Sequence, residues 1–210
     1  CGTYYRPQDR LNAPNPLLKE HPYLQNLYQL MYRNLIADSD LNLDQALLLA
    51  LDQTELSISE DTLKMLFAYM DNVDWAIRMY QRERVITALA EAGFELHLLG
   101  RGWENHPCSQ YPNVHRLDDR IPYAQTLSYM ADAKINLNVM PWFKSGTHDR
   151  IFNTLLQHSL PLTDRSAWTE KYFTDGEDIV FYDLKQLEQL PAIAERLLKN
   201  PSEAEKMIQR

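Results

Sequence analysis

"KINLNVMPWFKSGTHDRIFNTLLQHSLPLTD", Lys134 to Asp164, is the stretch that decides the fold. Its opening, "KINLNVM" (134–140), alternates Ile135, Leu137 and Val139 with asparagines and lysine, the period-two pattern of a strand. A polar run follows, "KSGTHDRIFN" (144–153), and its pattern predicts a helix starting near Thr147 or His148. "LPLTD" (160–164) is short and β-rich again. Strand, helix and strand in so short a span make a βαβ unit, whose two strands lie parallel.

The same alternation continues on both sides. Upstream, the helical run "DWAIRMYQRERVITALAEAG" ends at Gly93, a C′ position, and leads into the apolar "FELHLLG" (94–100). "YAQTLSYMADA" reads as the helix before Lys134. Downstream, "SAWTEKYF" is helical, "DIVFYD" (178–183) is a strand, and Asp183 with Gln186 caps "LKQLEQLPAIAERLLKN". The expected class is therefore α/β, with a Rossmann-like, mostly parallel sheet whose strands lie near 94–99, 134–140, 160–163 and 178–182. Ligands of such sheets sit at the carboxyl ends of the strands.

The first third of the chain has a different texture. "NAPNPLLKEHP" (12–22) holds three prolines and reads as a loop. "YLQNLYQLMYRNLI" (23–36) sets Leu24, Leu27, Tyr28, Met31 and Leu35 on one helical face. "NLDQALLLAL" opens with Asn42 and Gln45 at capping-box spacing, and "SISEDTLKMLFAYM" with Ser57 and Glu60. The expected division is 1–11 as a first strand and turn, 12–73 as a helical insertion or subdomain, and 74–210 as the Rossmann-like domain.

Composition narrows the function classes. The 210 residues carry 21 basic and 29 acidic side chains, a formal charge of −8, with no Lys/Arg cluster. That argues against a nucleic-acid or anionic-membrane surface, which needs a basic stripe, and leaves room for a small anionic ligand. No window approaches the roughly 18 apolar residues of a membrane span. Two cysteines, Cys1 and Cys108, make no disulfide framework or metal spacing, so a reducing, cytoplasmic setting is expected. Cys1 reads as the start of a fragment cut from a longer protein, because "CGTYYRP" looks like the end of a buried strand entering a glycine turn. The competing reading, a mature lipoprotein with its N-terminal Cys, ordinarily begins with a polar tether.

Three loops fall where ligands bind. "GTYYR" (2–6) offers Gly2, Thr3 and Arg6; "GRGW" (100–103) offers Gly100, Arg101, Gly102 and Trp103; "KSGTHDR" (144–150) is the third. The fingerprint Gly-x-Gly-x-x-Gly is incomplete because residue 105 is Asn, which disfavours a nicotinamide cofactor. In the third loop, Ser145, Gly146 and Thr147 would form a turn at a helix N-terminus suited to a phosphate. Arg150 adds a bidentate donor, and Asn153, one turn on, would reach a ribose or sugar hydroxyl. His148 and Asp149 are adjacent on a helix, about 100° apart, and cannot easily serve one another as a dyad. The bland alternative is a polar helix cap with solvated charges. His97 reads as a structural histidine in an apolar strand, and "HLLGRGWENH" has no metal-ligand spacing.

Taken in order, "RERVITALAEAGFELHLLGRGW", "YMADAKINLNV", "SGTHDRIFNTLLQHSLPLTD" and "YFTDGEDIVFYDLKQL" resemble the C-terminal half of GT-B glycosyltransferases, in the group-1-like branch that includes spore-maturation-type proteins. The resemblance covers 74–210, and "CGTYYR" matches the first strand and turn of that half. It implies a donor half that binds a nucleotide-sugar without metal or other cofactor, an acceptor of unknown kind bound on the other half, and Arg150 helping to stabilise the leaving diphosphate. Relatives carry a glutamate where this chain has Asn153, a second where it has Ser145, and a helix-ending glycine where it has His158. The expected function is donor binding in glycosyl transfer. Two alternatives stay open: a non-catalytic GT-B scaffold that binds partners through 23–71, and a sugar-nucleotide epimerase sharing the fold.

Overall fold

The computed structural model describes residues 2–54, 56–117, 120–140 and 144–209. The chain divides into a helical unit, Tyr5–Tyr80, and an α/β unit formed by the first four residues with Gln81–Arg210. The helical unit thus begins before residue 12 and ends after 73. The reason is packing: Leu11 is fully buried in the helical core, as are Val73 and Ala76.

The helical unit contains α1 (Pro7–Leu11), α2 (Pro16–Glu20), α3 (Leu24–Ala37), α4 (Leu43–Thr54), α5 (Glu60–Tyr69) and the first turns of α6 (Asp71–Glu91). The segment 12–22, expected as loop, holds α2. Pro16 starts this helix rather than breaking it, because its missing N–H falls where a helix leaves donors unpaired anyway. Asn15 caps it, its Oδ1 accepting Leu17 N–H at 3.0 Å, while its Nδ2 donates to Tyr69 O at 2.8 Å. Gln45 Oε1 accepts the Asn42 N–H at 2.9 Å ahead of α4. For α5 the cap is Ser59, accepting Thr62 N–H at 3.2 Å, not Ser57, since the helix starts two residues later than the spacing implied. Leu24, Leu27, Tyr28, Met31 and Leu35 all enter the core, as the α3 periodicity requires. Fully burying each such side chain contributes about 1.5–3 kcal/mol.

In the α/β unit, α6 ends at Glu91, and Gly93, with a φ of 83°, turns the chain away from it; Phe94 N–H reaches back to Leu89 O at 3.1 Å. Then come β1 (Leu96–Leu98), β2 (Val114–Arg116), α7 (Tyr123–Asp132), β3 (Ile135–Asn138), α8 (Asp149–Leu156), β4 (Leu160–Asp164), α9 (Ala167–Tyr172), β5 (Val180–Tyr182), α10 (Leu190–Lys199) and α11 (Pro201–Ile208). β1 pairs with β2, and β3–β4–β5 form a second ladder; every pairing is parallel. This is the Rossmann-like α/β architecture expected of a GT-B C-terminal half, with a helical N-terminal part. β2 has no alternating run to announce it. Asn113 just ahead of it ties it to α6 and β1: its side chain donates to Ala90 O at 2.9 Å and Phe94 O at 2.8 Å, and its carbonyl accepts Leu96 N–H at 2.8 Å. α10 starts at Leu190 instead of following Asp183, because Pro191 fits only a first turn. The core gathers Val85 and Leu89 of α6, Leu160 and Leu162 of β4, Val180 and Tyr182 of β5, and Leu190 and Leu197 of α10.

Candidate functional site

The first two expected loops meet each other. Gly2 N–H donates to Leu99 O and Tyr4 N–H to Arg101 O, both at 2.8 Å, so residues 2–4 run alongside the end of β1. Gly100 (φ 123°) and Gly102 (φ 82°) are glycines for that reason. A Cβ on Gly100 would collide with the Gly2 carbonyl, and one on Gly102 with that of Tyr4. The close approach read as room for a ligand is filled by the chain's own backbone. Trp103 is buried, its Nε1–H donating to Gly2 O at 2.8 Å, and its ring stacks on Tyr4 at 5.5 Å. Thr3 O accepts from the Arg82 guanidinium, and Arg101 is exposed. Arg6 belongs to the helical unit, where it precedes α1. Buried His106 completes this aromatic cluster: its Nδ1 accepts Cys108 N–H at 3.1 Å and its Nε2 has no protein partner. Burial pushes its pKa down to about 4, so it is neutral at pH 7.

The third loop is built differently. It leaves β3 at the carboxyl end and enters α8, and Pro141 to Phe143 lie outside the described residues. The β4–α9 corner ties it down at three points. Asp164 Oδ1 accepts Met140 N–H at 2.7 Å, Ala167 N–H donates to Lys144 O at 2.8 Å, and Ser166 Oγ donates to Gly146 O at 2.7 Å. Ser166 is itself locked in a capping box with Thr169, which opens α9. Ser145 is exposed on the loop, Gly146 and Thr147 are half-buried, and the Thr147 hydroxyl is buried without a partner. α8 starts at Asp149, and the residue before it, His148, caps it through Nδ1, which accepts the Arg150 N–H at 3.1 Å. The cap is thus closed by the chain's own imidazole, and the same Nδ1 lies against Asp149 Oδ1: the two neighbours expected to point apart do meet, because His148 stands outside the helix in extended backbone.

Arg150 turns inward. Its guanidinium donates to Asn138 Oδ1 at the end of β3, and Asn138 Nδ2 donates to Thr163 Oγ1 at 2.8 Å. Tyr182 at the end of β5 donates its hydroxyl to Asn138 O at 2.7 Å. Three adjacent strand ends therefore share one polar floor under the loop. Asn153 faces elsewhere, donating to Tyr123 OH at 2.8 Å. Burial raises the Asp164 carboxyl to about 6, against the pull of Lys144, the Met140 N–H and Arg150. Burial likewise lowers Arg150, opposed by Asp149, Tyr182 and Asp164, and lifts the Tyr182 phenol, with Asp164 adding to the rise.

Of the expected residues, Lys144 to Arg150 form one structure, and Gly2, Thr3, Gly100, Gly102 and Trp103 form another. Sequence reasoning missed Asp164, Asn138, Ser166 and Tyr182. Their signal was position alone: each sits at or just beyond the carboxyl end of a parallel strand, where such folds collect functional groups. Among the described residues no helix is long and apolar enough to cross a membrane.

The fold defines a Rossmann-like half of GT-B type. A family model described as glycosyl transferase-like matches residues 81–210, which coincides with the α/β unit beyond its first four residues. The chain belongs to this glycosyl transferase-like family, and membership implies a sugar donor and an acceptor. No curated protein and no solved structure matches the chain.

Proposed function

We propose that the α/β unit binds the nucleotide-sugar donor of a group-1-like glycosyltransferase of the spore-maturation-type branch, with the diphosphate on the Lys144–His148 loop. One observation carries this reading: the connection from β3 to α8 is held to the β4–α9 corner at Met140, Lys144 and Gly146, over a polar floor that includes the half-buried cation Arg150. Fixed donors that need no reorganisation are what a developing diphosphate charge requires. Gly146 and Thr147 supply backbone N–H groups, Lys144 a cation on the loop itself, and Arg150 a fixed positive charge below. Asn153 and Tyr123, already joined, present amide and phenol to the ribose or sugar hydroxyls. No step in this reading calls on a metal or other cofactor. Cys108, a buried free thiol, fits the reducing, cytoplasmic setting that the reading includes.

The acceptor half of a GT-B enzyme is a second Rossmann-like unit, and the described residues fold one such unit. The chain alone should therefore bind donor and transfer little sugar. Thermal-shift titration with UDP-glucose, GDP-mannose and dTDP-glucose tests the reading. Binding at 100 times the dissociation constant should add about 2.7 kcal/mol of stability. By calorimetry, Arg150→Ala should weaken the best ligand by about 1.5–3 kcal/mol and Asn153→Ala by about 1 kcal/mol. No response to any of the three sugars would favour a second reading, a non-catalytic scaffold. That reading draws on Ser145 and Asn153, which stand where relatives carry glutamates, and on Arg150 being engaged by Asn138.

A further inference from the structure

Among the described residues Asp164 is the only Asp or Glu that is buried, at 1% exposure. One of its oxygens is tied to the donor loop through Met140 N–H, and the other, Oδ2, is buried with no protein partner. A buried carboxylate oxygen left bare is costly, and such exceptions call for a cause. The charged and titratable groups facing Asp164 come from each packed element: Lys144 from the loop, Arg150 from α8 and Tyr182 from β5, with Arg82 of α6 acting on Tyr182 in turn. An anion on the loop would draw on the same two cations that balance Asp164. Two negative groups sharing Lys144 and Arg150 repel one another, and protonating one of them removes the repulsion.

We propose that Asp164 is a positioning residue of this site, taking up one proton from solvent when an anionic diphosphate engages the loop and so releasing Lys144 and Arg150 to serve the ligand. This rests on the donor-binding reading above. Burial already holds the carboxyl near 6, which brings the proton uptake within reach of neutral pH. Linkage makes the effect reciprocal: anion affinity rises as pH falls through that range, by about tenfold for each unit by which the bound anion raises the carboxyl.

The test is calorimetric titration near pH 6.5 in two buffers of different ionisation enthalpy, with UDP-glucose, GDP-mannose, dTDP-glucose and sulfate as probes. None of these carries a phosphate or sulfate that titrates there. The wild type should take up protons on binding. Asp164→Asn, which keeps the shape and the acceptor for Met140 N–H, should take up fewer and at pH 7.5 bind about tenfold more tightly than the wild type. His148 is an imidazole on the same loop, the side-chain type that most readily takes up a proton near neutral pH, so His148→Asn is the companion: uptake that survives in it comes from another group. It also carries the test if Asp164→Asn fails to fold. Sulfate binding with proton uptake, but no nucleotide-sugar binding, would keep the proposal and sink the donor reading. Nucleotide-sugar binding with equal uptake in wild type and Asp164→Asn would do the reverse. Binding by none of the four probes, or uptake abolished in His148→Asn, overturns the proposal.

Discussion

At the scale of single residues, the glycines of "GRGW" and the buried tyrosine of β5 make the sharpest cases. Gly100 and Gly102 combine a left-handed φ with a carbonyl lying where a Cβ would go. Alanine at either position meets strain and overlap together, and each substitution should cost about 3 kcal/mol in urea unfolding. A loss below about 0.5 kcal/mol would show that residues 2–4 do not lie against this turn. Tyr182→Phe removes the 2.7 Å hydrogen bond to Asn138 O and leaves a buried acceptor bare, which should cost about 2 kcal/mol by the same measurement. The glycines were legible in the sequence as special positions, yet what approaches them was not. A glycine announces close approach without saying of what. Arg150 shows the same limit, since its charge was plain but its inward turn depends on Asn138 being one strand end away.

At the scale of elements, α8 is closed at both ends by histidines. His148 caps the start. At the far end, Ser159 N–H reaches Thr154 O at 3.1 Å and His158 N–H reaches Leu155 O at 2.9 Å, the paired bonds of a Schellman turn. That turn needs a left-handed residue, and His158 takes it at φ 52°. His158→Gly should relieve the strain and raise stability by about 1 kcal/mol, read as a higher urea midpoint at unchanged slope. A lower midpoint would mean that the imidazole itself holds the turn. His148→Ala should cost about 1 kcal/mol through the lost cap. Elements of this kind were legible wherever period and cap agreed, as for α3, β3 and β4. Pro16 was read as loop and Pro191 as helix interior, yet each sits in the first turn of a helix, where its missing N–H costs nothing.

For the whole molecule, two buried groups give stability opposite dependences on pH. Asp164 has a folded pKa of about 6, above the unfolded value of about 3.9, so its contribution is complete below pH 4 and is lost as pH rises through 6. His106, at about 4 when folded against about 6.5 unfolded, contributes fully above pH 6.5 and loses that as pH falls through 4. At 1.36 kcal/mol per unit each effect comes to about 3 kcal/mol, and the two nearly cancel between pH 4 and 6.5. Urea unfolding of the wild type should vary little across that window, whereas Asp164→Asn should lose about 3 kcal/mol on acidification from 6.5 to 4. Parallel profiles for wild type and variant would mean that Asp164 does not titrate there.

The sequence by itself determined the α/β class, the parallel order of β3, α8 and β4, the helical texture of the first third, and the concentration of polar groups between Lys144 and Asn153. Those are local matters, since hydrophobic period, capping residues and punctuating glycines act on neighbours along the chain. The tertiary structure alone decided what the polar groups face. Asp164, Ser166, Asn138 and Tyr182 come from three strand ends and converge under one loop, although Asn138 and Tyr182 are 44 positions apart. Parallel strands separated by helices bring together residues that no short-range pattern links, and the pull of a buried carboxyl on a proton exists only once water has been excluded from that junction.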